Sequence, residues 1–168
     1  MDIHEVNEAE MPAMWTLWVR ALHDHPQAFG APYEWARGVT DEQSRDLLRN
    51  IVAGEGFLLG AWVEDAPVGM LHFSRQQGEK FRHKGEIGAV YVMPEQRGGG
   101  IAKALIQAAV GRARTVAGMA VIGLSVNSEN TAAIKTYEAC GFTRYGVEPK
   151  GMRVEGQDID LLHMTLII

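Results

Sequence analysis

Cysteine is almost absent from the sequence, and Cys140 is the only one. A lone thiol excludes an internal disulfide and suits a reducing compartment. Long apolar runs are missing too. The longest weakly polar stretch, VAGMAVIGLSV from Val116 to Val126, falls well short of the roughly 20 residues that a membrane-spanning helix needs. The opening MDIHEVNEAE is acidic and polar, where a secretory leader is basic and then apolar. A cytoplasmic protein with no membrane partner is expected. An excess of positive charge is also lacking: 16 Lys and Arg stand against 21 Asp and Glu, for a formal net charge of −5. That balance argues against general binding to nucleic acid. Proline is sparse, at six residues, and no repeat, low-complexity tract or Pro/Ser-rich linker divides the chain. One domain over residues 1–168 is expected, long enough to bury about 70% of the surface its unfolded form exposes.

Glycine, by contrast, is plentiful at 19 residues, and three are consecutive in PEQRGGGIAKAL, Pro94 to Leu105. Glycine adds nothing to a core and costs backbone entropy, so such a run at a helix start points to backbone held close to something. The charge balance also reverses here. From Met93 to Gly118, Arg97, Lys103, Arg112 and Arg114 face only Glu95.

Periodicity supplies the frame. Residues 9–22 place Met11, Met14, Trp15, Trp18 and Leu22 at helical spacing. TDEQSRDLLRNIVA reads as a second helix with Thr40 or Asp41 as its N-cap, and an aromatic-rich loop lies between the two. FLLGAWVE and PVGMLHFSR form an antiparallel hairpin across EDAP, and GEIGAVYVM is a third strand. IAKALIQAAVGRAR puts Ile101, Ala104, Leu105 and Ala108 on one helix face. AVIGLSV is an apolar strand, TAAIKTYEA a short helix stopped by Gly141, and FTRYGVE and IDLLHMTLII are closing strands. With a strand at the start, the order is strand, two helices, three strands, helix, strand, helix, two strands. The class is mixed α/β.

A strand ending at Pro94, a glycine turn and a helix start make an anion site, because backbone N–H groups and the helix dipole converge there. Phosphate is the natural ligand. A Walker loop needs GxxxxGK[ST], and no Lys-Ser or Lys-Thr follows these glycines. The dinucleotide fingerprint GxGxxG fails at Lys103. A turn that uses glycine only for its geometry is the plain alternative.

VMPEQRGGGIAKAL, Val92 to Leu105, resembles the acetyl-coenzyme A signature of the GNAT superfamily of N-acetyltransferases, Q/R-x-x-G-x-G/A after a strand and V-x-P. Arg97, Gly100 and Ala102 fill its three defined positions. LSVNSENTAAIKTYEACGF, Leu124 to Phe142, resembles the second signature of that family through Asn130, Ala133, Tyr137, Gly141 and Phe142. Cys140 stands where leucine is usual, and Ala102 is the less common small residue.

The resemblance implies a GNAT fold: a central, mostly antiparallel twisted sheet of six to seven strands flanked by about four helices. It implies an acyltransferase that moves an acetyl group from acetyl-CoA directly to a primary amine of a small molecule or protein. A non-catalytic acyl-CoA-binding module of the same fold is the alternative. Backbone groups of Arg97, Gly98, Gly99, Gly100, Ile101 and Ala102 would hold the pyrophosphate of coenzyme A, and pantetheine would lie along the strand ending at Val92 like an added strand. Asn130 would bond the pantetheine arm. Tyr137, seven residues on and two turns along the same helix face, would protonate the departing thiolate; the alternative is a core aromatic with its hydroxyl on the backbone. Dimers are common in that family, and the resemblance allows a homodimer.

Attack on a thioester needs a neutral amine, so a proton acceptor is expected. Glu86 opens GEIGAVYV, where several members of the family carry a basic glutamate. Alternation puts it on one face with Gly88, Val90 and Val92, and partial burial would raise its pKa. The alternative is an exposed carboxylate at a strand end. Phe29, Tyr33 and Glu34, in the loop AFGAPYEW with Trp35, are candidates for the acceptor site, since the region after the first helix commonly lines it in the family. Aromatics packed beneath a loop are the alternative. His23 and His25 flank Asp24, but no further ligand cluster accompanies them, and no metal is expected. Cys140, among apolar residues beside Gly141, reads as core packing rather than as a nucleophile.

Overall fold

The computed structural model describes residues 1–168. One seven-stranded sheet carries the molecule, in the order β1-β2-β3-β4-β5-β7-β6. The strands are β1 (Asp2–Glu5), β2 (Phe57–Val63), β3 (Ala66–Arg75), β4 (Lys84–Val92), β5 (Val121–Asn127), β6 (Thr143–Val154) and β7 (Gln157–Ile167). Five helices join them: α1 (Met11–Asp24), α2 (Tyr33–Ala36), α3 (Asp41–Ile51), α4 (Ile101–Ala113) and α5 (Thr131–Ala139). All neighbouring strands pair antiparallel except β4 and β5, which are parallel.

Local chemistry sets most boundaries. Thr40 caps α3 with a complete capping box, accepting from Gln43 N at 3.3 Å while Gln43 Oε1 accepts from Thr40 N at 3.0 Å, which satisfies two otherwise unpaired donors. The β2–β3 hairpin turns on Glu64 and Asp65, both at positive φ (48° and 63°), as the tightest hairpin turn requires. The second hairpin is longer than expected. Beyond FTRYGVE and before IDLLHMTLII, Met152 pairs with Ile159 and Arg153 with Asp158, so β6 and β7 run on to a turn at Glu155–Gly156. Irregular register between Glu148 and Met152 absorbs the residues that break alternation. The aromatic loop contains the single turn α2.

Two apolar clusters cover the sheet. One side carries α4 and α5, with Ile101, Leu105, Ile106, Ala109 and Val110 packed on Phe73, Ile87, Ile122 and Met164. Here Ile106, Ala109 and Val110 are buried deeper than the expected Ala104 and Ala108. The other side carries α1, α2 and α3, with Met14, Trp15, Leu22 and Leu48 packed on Leu58, Met70 and Tyr91. No strand later than β4 contributes to this second cluster.

Candidate active site

The one parallel pairing is also the shortest. β4 meets β5 only at Lys84–Val121, Gly85–Ile122 and Glu86–Gly123, while β4 continues along β3 as far as Val92 and β5 continues along β7 as far as Asn127. The two halves of the sheet therefore part beyond Glu86 and leave a wedge. On its β4 wall the main-chain groups that face β5 have no strand to pair with, and unpaired strand edges of this kind accept an extended partner.

A bulge re-aims the β4 wall. Ala89 sits at φ 52°, and the register with β3 slips between Met70–Tyr91 and His72–Gly88. A left-handed non-glycine residue in a strand is a strained position of the kind found beside functional sites. Its effect is a change of face. Before the bulge Ile87 packs into the α4 side; after it Val92 does so, while Tyr91 turns to the α1 side. Glu86 thus shares its face with Gly88 and Tyr91, not with Val90 and Val92 as strict alternation requires. Glu86 is exposed, flanked by Ser74 on β3 and Gly123 on β5, and the expected partial burial is not found.

Past the open end of β4 comes the glycine turn. A single 3-10 turn, Pro94–Gln96, leads to extended Arg97 and then to Gly98 and Gly100 at φ 85° and 80°. A Cβ at either glycine would meet nothing within 4 Å; the backbone angle, not crowding, calls for glycine. The first helical bond of α4 is Ala104 N to Gly100 O at 3.0 Å, and the N–H groups of Gly98, Gly99, Gly100, Ile101, Ala102 and Lys103 find no acceptor in the chain. No acidic residue stands in the first turn of α4. An uninterrupted run of free donors at a helix start is a cradle for an anion. Arg97 lies just outside it. Its N–H is bound to Pro94 O, and its side chain folds back, with Nε donating to Val92 O at 3.0 Å and Nη2 to His25 Nε2 at 2.7 Å.

On the other wall, Asn130 is the N-cap of α5 rather than a residue within it. Its Oδ1 accepts from Ala133 N at 3.1 Å, which leaves its amide N–H₂ for other partners. Tyr137 shares a buried face with Ile134 and meets Phe142 edge to face at 6.1 Å. Only 7% of it is exposed, and burial pushes its phenol well above the usual tyrosine range. Its hydroxyl nonetheless has no partner in the chain and is not sealed, since Trp62 Nε1 is the only buried side-chain polar atom without a bond.

The acceptor-loop candidates have partners of their own. Phe29 packs on Trp18 and Tyr91 at 4.9 and 6.5 Å. Tyr33 meets the His23 ring at 5.1 Å, and Glu34 pairs with Arg37 at 3.3 Å. Between these segments the turn Pro26–Ala28 comes up beside β5, so the loop after α1 bridges the wedge. His23 bonds Asp24 at 3.1 Å and His25 bonds Arg97; the two imidazoles serve different partners and do not converge. Cys140 lies 4.0 Å from Lys103 O, and burial raises its thiol pKa. The tie of His25 to Arg97 escaped the sequence reading, because it spans 72 positions. A cavity of about 380 Å³ lined by Glu55, Arg75, Gln77 and Arg82 lies by the far ends of β3 and β4, remote from the glycine turn.

Residues 12–142 match the family model described as acetyltransferase (GNAT) family. The chain belongs to the GNAT acetyltransferase family. Among similar proteins, the mycothiol acetyltransferase of Thermobispora bispora is 38% identical over 80 residues, 46% of this chain and 27% of that protein. The chain thus spans about a quarter of the length of that curated relative. The spermidine N(1)-acetyltransferase of Vibrio cholerae is 28% identical over 105 residues, 62% of this chain and 61% of that protein. The crystal structure of ribosomal-protein-alanine N-acetyltransferase from Brucella melitensis superposes with a TM-score of 0.86 at 27% identity, over 100% of both chains.

Proposed function

We propose that this chain is an N-acetyltransferase that moves the acetyl group of acetyl-CoA to a primary amine, acting as a single domain in the cytoplasm. The observation that carries the reading is the alignment of two unfilled backbone features: the free N–H groups of Gly98 to Lys103 and the unpaired edge of β4 that leads to them. A phosphate-bearing ligand with an extended amide arm satisfies both. Its pyrophosphate takes the N–H groups of Gly98, Gly99, Gly100, Ile101 and Ala102, and its arm pairs along β4 to Val92. Arg97 holds the turn to the end of β4 through Val92 O. The free amide of Asn130 reaches the arm from the opposite wall.

Bound acetyl-CoA supplies an activated thioester. The chain supplies proton traffic. Tyr137 keeps its proton at neutral pH because burial disfavours the phenolate, and its unpartnered hydroxyl donates that proton to the leaving sulfur. Glu86 stands on the α1 side of the closed end of the wedge and takes the amine proton out to solvent. Phe29, Tyr33 and Glu34 border the entry for the acceptor on that same side. Mycothiol, spermidine and a ribosomal protein alanine appear in the names of similar proteins, so a small-molecule or protein amine is the substrate class.

Acetyl-CoA incubated with spermidine, free amino acids and a peptide beginning with alanine, with free thiol as the readout, tests the reading. Amine-dependent thiol release is expected. Tight coenzyme A binding with no release for any amine overturns it in favour of a non-catalytic acyl-CoA-binding module.

A further inference from the structure

One histidine stands near the apex of this wedge without a role so far. His72 lies on β3 opposite Gly88 of β4, and its half-buried ring turns its Cε1–Nδ1 edge toward that glycine. A Cβ at position 88 would fall 2.6 Å from His72 Cε1 and 2.9 Å from Nδ1, so Gly88 is the residue that lets the imidazole cross onto β4. Gly88 immediately precedes the bulge at Ala89, and lies two residues past Glu86, the last β4 residue paired with β5. The imidazole is thus aimed at the apex from which the two walls diverge, on the same face as Glu86.

We propose that His72 is the first acceptor of the amine proton and that Glu86 stabilises the imidazolium and passes the proton to solvent. This rests on the acetyltransferase reading above. In the step, an N–H bond of the incoming ammonium breaks and its proton joins an imidazole nitrogen. The freed nitrogen lone pair forms the bond to the acetyl carbon. The carbon–sulfur bond breaks and sulfur takes the Tyr137 proton, while the second amine proton leaves by the same His72–Glu86 route and restores the phenol through water. The sum is one amide, one thiol and one proton released.

The surroundings suit a base that is neutral at physiological pH. Burial lowers the His72 pKa below the ordinary value, against the opposing pulls of the Gly88 backbone and the Glu86 charge. Glu86 on β4 is the charge that acts on it. Across β2 its register neighbour is the apolar Leu58, and α1 and α3 present Met14, Trp15, Leu22 and Leu48 to this side of the sheet.

The test is the pH profile of kcat/KM with spermidine or, if spermidine is not acetylated, with the alanine peptide. A wild-type chain that takes its proton from a bound ammonium should show a level profile between the His72 pKa and that of the amine, about 10 for an alkylamine, and fall below the former. His72→Gln should lose about 10²-fold at pH 7, and its rate should climb with pH toward the amine pKa, because only neutral amine then reacts. Gly88→Ala, which displaces the ring and keeps the imidazole, should reproduce part of that change. Glu86→Gln should move the acid limb to lower pH rather than abolish it, and NMR titration of the His72 imidazole should show the same displacement. Calorimetry with coenzyme A reports that each variant is folded. If the wild-type chain acetylates no amine, the reading beneath falls. If it acetylates while folded His72→Gln keeps the level profile and the rate, His72 is a packing residue and this inference alone is overturned.

Discussion

Tyr137 shows how a single side chain divides its loyalties. Its ring belongs to the α4-side core, while its hydroxyl bonds nothing in the chain. A phenol used only for packing would be expected to pair with the backbone when buried. Tyr137→Phe keeps the ring and removes the proton, so kcat should fall by about 10²-fold with coenzyme A affinity unchanged; steady-state rates and calorimetry measure the two. Gly100 is the complementary case, a residue whose contribution is its backbone angle. Valine at φ 80° is strained by about 1–2 kcal/mol and would swing the N–H groups of the α4 start out of line. Gly100→Val should weaken coenzyme A binding severalfold or more while the core stays folded, as titration calorimetry and circular dichroism would show together.

Among the elements, β4 matters most, because it belongs to two half-sheets at one end and to one at the other. Three register pairs tie it to β5, and the bulge at Ala89 then turns its later residues over. The left-handed angle costs alanine about 1 kcal/mol relative to glycine. Ala89→Gly should therefore raise unfolding stability by up to about 1 kcal/mol, read from denaturant midpoints at constant m-value. A flat or negative result would mean that the bulge angle carries no strain for alanine. The same bulge explains why Glu86, Gly88 and Tyr91 face α1 together. Without it Tyr91, which donates to Asp24 at 3.1 Å, would point into the α4 core.

Across the whole molecule, a wedge between half-sheets holds its shape only if its closed end is fastened. Arg75 does this. Its side chain is only 8% exposed, and it pairs with Glu55 of the α3–β2 loop while donating to Arg82 O at 2.5 Å and to Ala117 O at 2.8 Å. Those carbonyls belong to the β3–β4 and α4–β5 connections, so one guanidinium joins the segments that enter β2, β4 and β5. Removing it leaves Arg82 O and Ala117 O without this donor, while Glu55 keeps only its bond from Arg82 at 3.1 Å. Arg75→Met should lower stability in chemical denaturation, and should loosen the β4–β5 pairing, with faster amide exchange at Gly85 and Ile122 as the local readout.

Several parts of this protein were settled by the sequence alone. The order of elements followed from periodicity, since 3.6 and 2 are local repeats that need no knowledge of distant residues. The glycine turn was legible for the same reason: backbone angle and helix start are properties of adjacent residues, and Arg97, Gly100 and Ala102 carried the family resemblance. Asn130 and Tyr137 were recognisable within one helix, although only the fold showed that the first is its cap. What pairing decides was not legible. Whether β4 keeps strict alternation depends on how many residues β3 sets against it, so the reversal of face at Ala89, and with it the surroundings of Glu86, lay outside the reach of pattern. His72 was passed over as one polar residue in a strand, because its place over Gly88 is a register between two strands. His25 and Arg97 meet across 72 positions, and Arg75 gathers three loops. Such juxtapositions come from chain segments brought together by burying two apolar clusters on one sheet, which is long-range packing, and no local repeat encodes it.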